Sequence, residues 1–170
     1  MSNRHRWFIG GVLAGALAII LLCTAALTGG LITYLLLGSQ PLDSGQTTMI
    51  IDARQGWQST GVRVTPGMRV SIEVTNGEWT YWSGIQPYNS GEGGNYICAA
   101  AMPASQCVEP LPDFPVGGLI GKIGSQTFGI GRYLTLLAEQ PGTLWLRIND
   151  GDGGLHDNAG ELVIDISAQR

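Results

Sequence analysis

One ten-residue stretch carries most of the chemistry this chain can do. Asn149 to Asn158 (Asn-Asp-Gly-Asp-Gly-Gly-Leu-His-Asp-Asn) contains three Asp, two Asn and three Gly. It follows the strand-like run Thr143 to Ile148 and precedes another, Glu161 to Ser167. Carboxylate and amide oxygens on a glycine-loosened backbone suit Ca2+, a hard cation that takes about six to eight oxygen ligands. Asp150, Asp152 and Glu161 fall at positions 1, 3 and 12 of an EF-hand loop, but Leu155 occupies the position that needs glycine, and strands rather than helices flank the stretch. An EF-hand is excluded. Composition alone leaves a second reading open, an acidic, glycine-rich hairpin loop that holds no metal.

Other residue types add little catalytic potential. The chain has two histidines, His5 and His156, so any Ser-His-Asp arrangement would rest on His156 alone. No serine at a sharp-turn motif accompanies it, and the loop carboxylates serve a cation better than glycoside hydrolysis. The chain is expected not to be an enzyme. His156 is either a solvated loop residue or a ligand contact. The glycine-rich run Gly117 to Gly124 lacks the Gly-Lys-Ser/Thr ending of a phosphate loop, and reads as a strand in which glycines permit close packing. Trp79 and Trp145, at strand positions, are assigned to the core, whereas Trp82 and Tyr88 are the candidates for exposed stacking on a ligand.

These residues need a scaffold, and the amino-terminal segment says where it is displayed. From Trp7 to Gly38 there is no charged residue, so residues 7–38 are expected to form one transmembrane helix. Arg4 and Arg6, in the tail 1–6, place the amino terminus in the cytoplasm and the large domain on the periplasmic or extracellular side of the cell membrane. The apolar run is too long for the core of a cleaved signal peptide. Residues 39–46 are a polar linker, and 47–170 the exported domain. The net charge of −4 (9 basic, 13 acidic residues) argues against a nucleic-acid partner.

Beyond the linker no helical period appears. Short β-rich runs are separated by Gly, Pro and Asn turns: 47–52, 61–65, 68–74, 78–82, 119–123, 127–130, 133–137, 143–148 and 162–166. Asn76-Gly77 reads as a tight turn between two of them. Many short strands without crossover helices predict an all-β chain, an antiparallel β-sandwich of jelly-roll or galactose-binding-like type. Ser83 to Val116 is a long segment without strand pattern, of the kind that is functional or tied down. Cys98 and Cys107 lie in it, and the oxidising outer side of a membrane favours a disulfide between them.

Several short motifs occur in the order of one family: Trp57 to Val62, Pro66-Gly67, Gly77 to Trp79, Gly118 to Gly124, Ile148 to Gly151 and Asp157 to Gly160. Over residues 50–167 the chain resembles the PA-I galactophilic (LecA-like) lectins. That resemblance implies one Ca2+ on the acidic loop, with two sugar hydroxyls completing its coordination. Carried over by position, it implies Asp150 as a carboxylate ligand, Gly154 and Trp82 as backbone-carbonyl ligands, and Asn158 as an amide ligand. Asp157 stands where the family has an Asn, and keeps an oxygen there. The family lectin also uses a His and a Gln from its middle loop; here Ser83 to Gly94 has no histidine, and Gln86, Tyr88 and Asn89 are the candidates to substitute for them. Asp150, Gly151, His156, Asp157 and Tyr88 form the candidate ligand-binding set.

The expected function is therefore a membrane-anchored, calcium-dependent carbohydrate-binding domain. The alternative is a single-pass accessory subunit of a larger membrane complex, whose sandwich caps the outer face and no longer binds sugar.

Overall fold

The structure, a computed structural model, describes residues 45–170. The expected tail, transmembrane helix and most of the linker lie outside the described residues. Among the described residues, no helix is long and apolar enough to cross a membrane.

Eight strands form two antiparallel four-stranded sheets. They are β1 (Gly45–Asp52), β2 (Gln58–Val64), β3 (Arg69–Thr80), β4 (Leu119–Ile123), β5 (Gln126–Gly129), β6 (Tyr133–Leu137), β7 (Gly142–Ile148) and β8 (Ala159–Gln169). One sheet has the order β1-β8-β3-β6, the other β2-β7-β4-β5. The alternation expected of half-buried strands fills the space between them. In β8, Leu162, Ile164 and Ile166 are fully buried while Val163, Asp165 and Ser167 are not. Val70, Ile72, Leu119, Leu144, Leu146 and Ile148 belong to the same core cluster. Trp79 belongs to it too, as expected. Trp145 does not: it lies on the outer face of β7, half-buried between the buried Leu144 and Leu146.

The expected turn at Asn76-Gly77 is absent. β3 runs through it as one strand, because the long partner β8 pairs with it from Arg69↔Gln169 to Thr80↔Ala159. The register shifts between Val74 and Asn76. That extra residue changes the parity of the strand: Val70, Ile72 and Val74 face the core before it, and Trp79 faces the core after it. Gly77 (φ 87°) and Gly160 (φ 91°) let the two backbones close up beyond the bulge. A Cβ on Gly160 would stand 2.2 Å from the Glu78 carbonyl oxygen, and one on Gly77 would stand 2.3 Å from that of Glu161.

Two substitutions separate conformational strain from this close approach. Gly61 also has positive φ but open space around its Cβ position. Gly61→Ala should cost about 1 kcal/mol, and Gly160→Ala distinctly more, roughly 2–4 kcal/mol, because backbone must move as well. Equal losses in urea unfolding would show that the β3–β8 approach is not a constraint.

Candidate metal centre

The site forms at one end of the sandwich, where two loops distant in sequence are brought side by side. β3 ends at Thr80 opposite Ala159, so the residues just after β3 meet those just before β8. The Ser83 backbone N–H donates to the Asp157 carbonyl across this junction (2.9 Å). Trp82, just before it, is exposed, and its carbonyl accepts the Ile85 and Gln86 N–H groups of its own turn.

The segment after β3 is held down along its length, as its span between strands suggests. Asn89 exchanges two backbone hydrogen bonds with Trp79, and its side-chain oxygen accepts the N–H groups of Gly91 and Gly93. The expected disulfide is present: Cys98 and Cys107 are joined, with Cys98 opening a single helical turn, α1 (Cys98–Ala101). The end of the segment is tied to Asn149. That fully buried amide accepts the Leu111 N–H and donates to the carbonyls of Leu111, Phe114 and Pro115.

Beneath the acidic loop lies Arg147, almost fully buried although it shares the outer face of β7 with Trp145. Its guanidinium donates to the Asp150 carbonyl (2.7 Å) and to the Asp152 carboxylate (2.8 Å), and Nε donates to the Ile148 carbonyl (3.0 Å). The Trp57 ring covers it, with the guanidinium carbon 5.6 Å from the ring centroid. Arg147 thus shapes the loop backbone that aims Asp150. Asp152 is engaged by this arginine and otherwise exposed, so it belongs to the loop's support.

The oxygens left over are the informative ones. Asp150 is about nine-tenths buried; its Oδ1 accepts the Gly151 N–H, and its Oδ2 has no hydrogen-bond partner. Asn158 is fully buried; its Nδ2 donates to the Ala53 carbonyl (2.9 Å), which turns Oδ1 the other way, and that oxygen also has no partner. Gly154 packs against the same carboxylate, where a Cβ would stand 2.8 Å from Asp150 Oδ2. An orphaned buried acceptor costs about 1–3 kcal/mol, more for a charged group. Burial holds the Asp150 carboxyl above its ordinary value of 3.8, and the charges of Asp157 and Glu109 push in the same direction. Contacts with Asn158 and the Gly151 N–H offset part of that rise. Two donor-starved buried oxygens, one ionisable, beside further carboxylates form a donor set that suits a hard cation.

The other expected residues take lesser places. Gly151 supplies its N–H to Asp150, and Asp157 is half-buried at the loop's end. His156 is exposed and folds back, Nδ1 donating to the Gly153 carbonyl (2.8 Å). Tyr88 is about half exposed in a neighbouring cleft lined by Tyr81, Gln86, Asn89, Asn95 and Tyr96. Tyr81 joins the two places: its hydroxyl titrates high because of burial and, secondarily, the Asp150 charge. Sequence reasoning missed Arg147, Asn149 and Glu109 as contributors. A lone arginine in the apolar run Leu144 to Ile148, just before Asn-Asp, was the available signal for the first.

No protein family matches the sequence, and no curated protein is detectably similar to it. Among solved structures, the chain is similar to one described as the EclA N-terminal domain, a PllA-like lectin. The two share 20% identity at a TM-score of 0.55, with 72% of this chain and 96% of that one covered. Residues 45–170 accordingly share the two-sheet β-sandwich fold of that structure.

A pH series in chelator tests the orphaned carboxylate. The folded protein holds the Asp150 proton more tightly than the unfolded chain does, so this group favours folding at low pH. Its contribution is lost as pH rises from about 4 through the raised folded value. Asp150→Asn should remove that decline and leave the metal-free protein at least as stable as the wild type at neutral pH. Parallel pH profiles for the two proteins, measured by urea unfolding, would contradict it.

Proposed function

We propose that this chain is a calcium-dependent, carbohydrate-binding lectin-like domain, displayed on the outer side of a membrane by residues 7–38. The observation that carries the proposal is the pair of buried oxygens, Asp150 Oδ2 and Asn158 Oδ1, left without hydrogen-bond donors on one loop. Asp157 and the Gly154 carbonyl are the further ligands this reading assigns; the Trp82 carbonyl, which the resemblance adds, must release the Ile85 or Gln86 N–H to join them. Calcium held there neutralises the clustered carboxylates and presents coordination positions to a pair of vicinal hydroxyls.

The chain's own residues do the rest. Arg147 holds the loop backbone from below, and Asn158 is oriented by its bond to Ala53. The neighbouring cleft, of about 530 Å3, offers Gln86 and Asn95 for hydroxyls and Tyr88 and Tyr96 for the apolar face of a sugar ring, while Asn89 braces its wall. His156 and Gly151 border the same loop as direct or backbone contacts. The fold it shares with a structure described as a lectin supports this choice over catalysis.

Calcium calorimetry on the full chain in detergent, followed by a glycan array with and without chelator, tests the reading. Calcium should bind in roughly the 10⁻⁷ to 10⁻⁴ M range. Asp150→Ala should abolish the heat and, with it, all chelator-sensitive glycan signal. A wild-type protein with no calcium heat would sink the proposal. Calcium binding with no glycan retained would instead favour the accessory-subunit reading.

A further inference from the structure

The segment Val108 to Pro115 lies directly against the acidic loop, and its contacts bracket one residue. On one side, Val108 packs on Gly151: a Cβ there would stand 2.8 Å from Val108 Cγ2 and 3.1 Å from its Cβ. On the other, Leu111 is bonded to the Asn149 side chain through both its N–H and its carbonyl. The two anchors flank Asp150, and the residues between them, Glu109 and Pro110, pass beside it. Cys107, immediately before Val108, is covalently fixed to the buried Cys98. The Glu109 carboxylate lies with the Cys98 and Cys107 sulfurs inside one 4.8 Å cluster. Those sulfurs are bonded to each other, so the trio is no thiolate metal site. One Glu109 oxygen accepts the Val108 N–H (3.2 Å), and among the described residues no basic side chain pairs with the carboxylate.

We propose that Glu109 is a working part of the cation site, a carboxylate contributed by the long loop rather than by the acidic one, and that the Cys98–Cys107 disulfide holds it there. Glu109 adds negative charge at the rim where the cation enters, and cation affinity consequently depends on whether the loop is covalently closed. This rests on the calcium reading of Asp150 and Asn158. It adds a residue and a control that the acidic loop alone does not have.

Calcium calorimetry on the full chain in detergent tests it with Glu109→Gln, with the Cys98→Ser/Cys107→Ser pair, and with the triple variant. Each of the first two should weaken calcium binding by roughly three- to tenfold, the order expected for one partly screened charge at close range. The triple variant should be no weaker than the cysteine pair, since both changes remove the same carboxylate from the site. The deficit of Glu109→Gln should shrink as KCl is raised, because rim charges are screened and a packing defect is not. If the wild type takes no calcium, the calcium reading falls and this inference with it. If the wild type binds, Asp150→Ala abolishes binding and Glu109→Gln binds like the wild type, only the inference falls. A salt-independent deficit, or additive losses in the triple variant, also overturns it.

Discussion

The pairing of β3 with β8 is the constraint on which the site depends. It runs from Arg69↔Gln169 to Thr80↔Ala159, so the chain leaves β3 where it enters β8. Backbone hydrogen bonds along this ladder set the distance between the turn at Trp82 and the acidic loop. Two glycines of positive φ, Gly77 and Gly160, let the strands close where any side chain would meet a carbonyl. The bulge before Gly77 then resets the parity so that Trp79 fills the core and donates its indole N–H to the Gly117 carbonyl (2.9 Å). A strand pair that packs the sandwich therefore also ties down the end of the long loop.

On this scaffold the acidic loop is held in a costly arrangement. The buried Arg147 and Asn149 direct their donors to backbone carbonyls and to Asp152, and Asn149 Oδ1 accepts the Leu111 N–H. Neither turns to Asp150 Oδ2 or Asn158 Oδ1. Leaving two buried acceptors without donors, when the other buried polar side chains among the described residues are satisfied, is what a site for a cation requires and what stability alone would select against. Glu109 and Asp157 raise the cost further by adding charge nearby.

Much of this was legible in the sequence. The sandwich followed from short alternating strands, and the disulfide from two cysteines expected outside a membrane. The acidic loop was evident from its oxygen-rich composition. What stayed hidden was set by partners remote in sequence. Asn76-Gly77 has the local signature of a hairpin turn, and a long β8 overrides it by offering a continuous ladder. Trp145 reads as core by residue type, yet the parity set by Leu144 and Leu146 turns it outward. Which amide of the loop faces the carboxylate and which one fastens the long loop depended on Ala53, Leu111 and Phe114, residues that no local pattern connects to Asn149 or Asn158.

The most direct test of the central claim is a crystal structure grown in calcium, with anomalous data to identify the ion. The account places one calcium bonded to both Asp150 Oδ2 and Asn158 Oδ1, at about 2.3–2.6 Å from each. A calcium bound elsewhere, with those two oxygens satisfied by protein donors or by water, would contradict it.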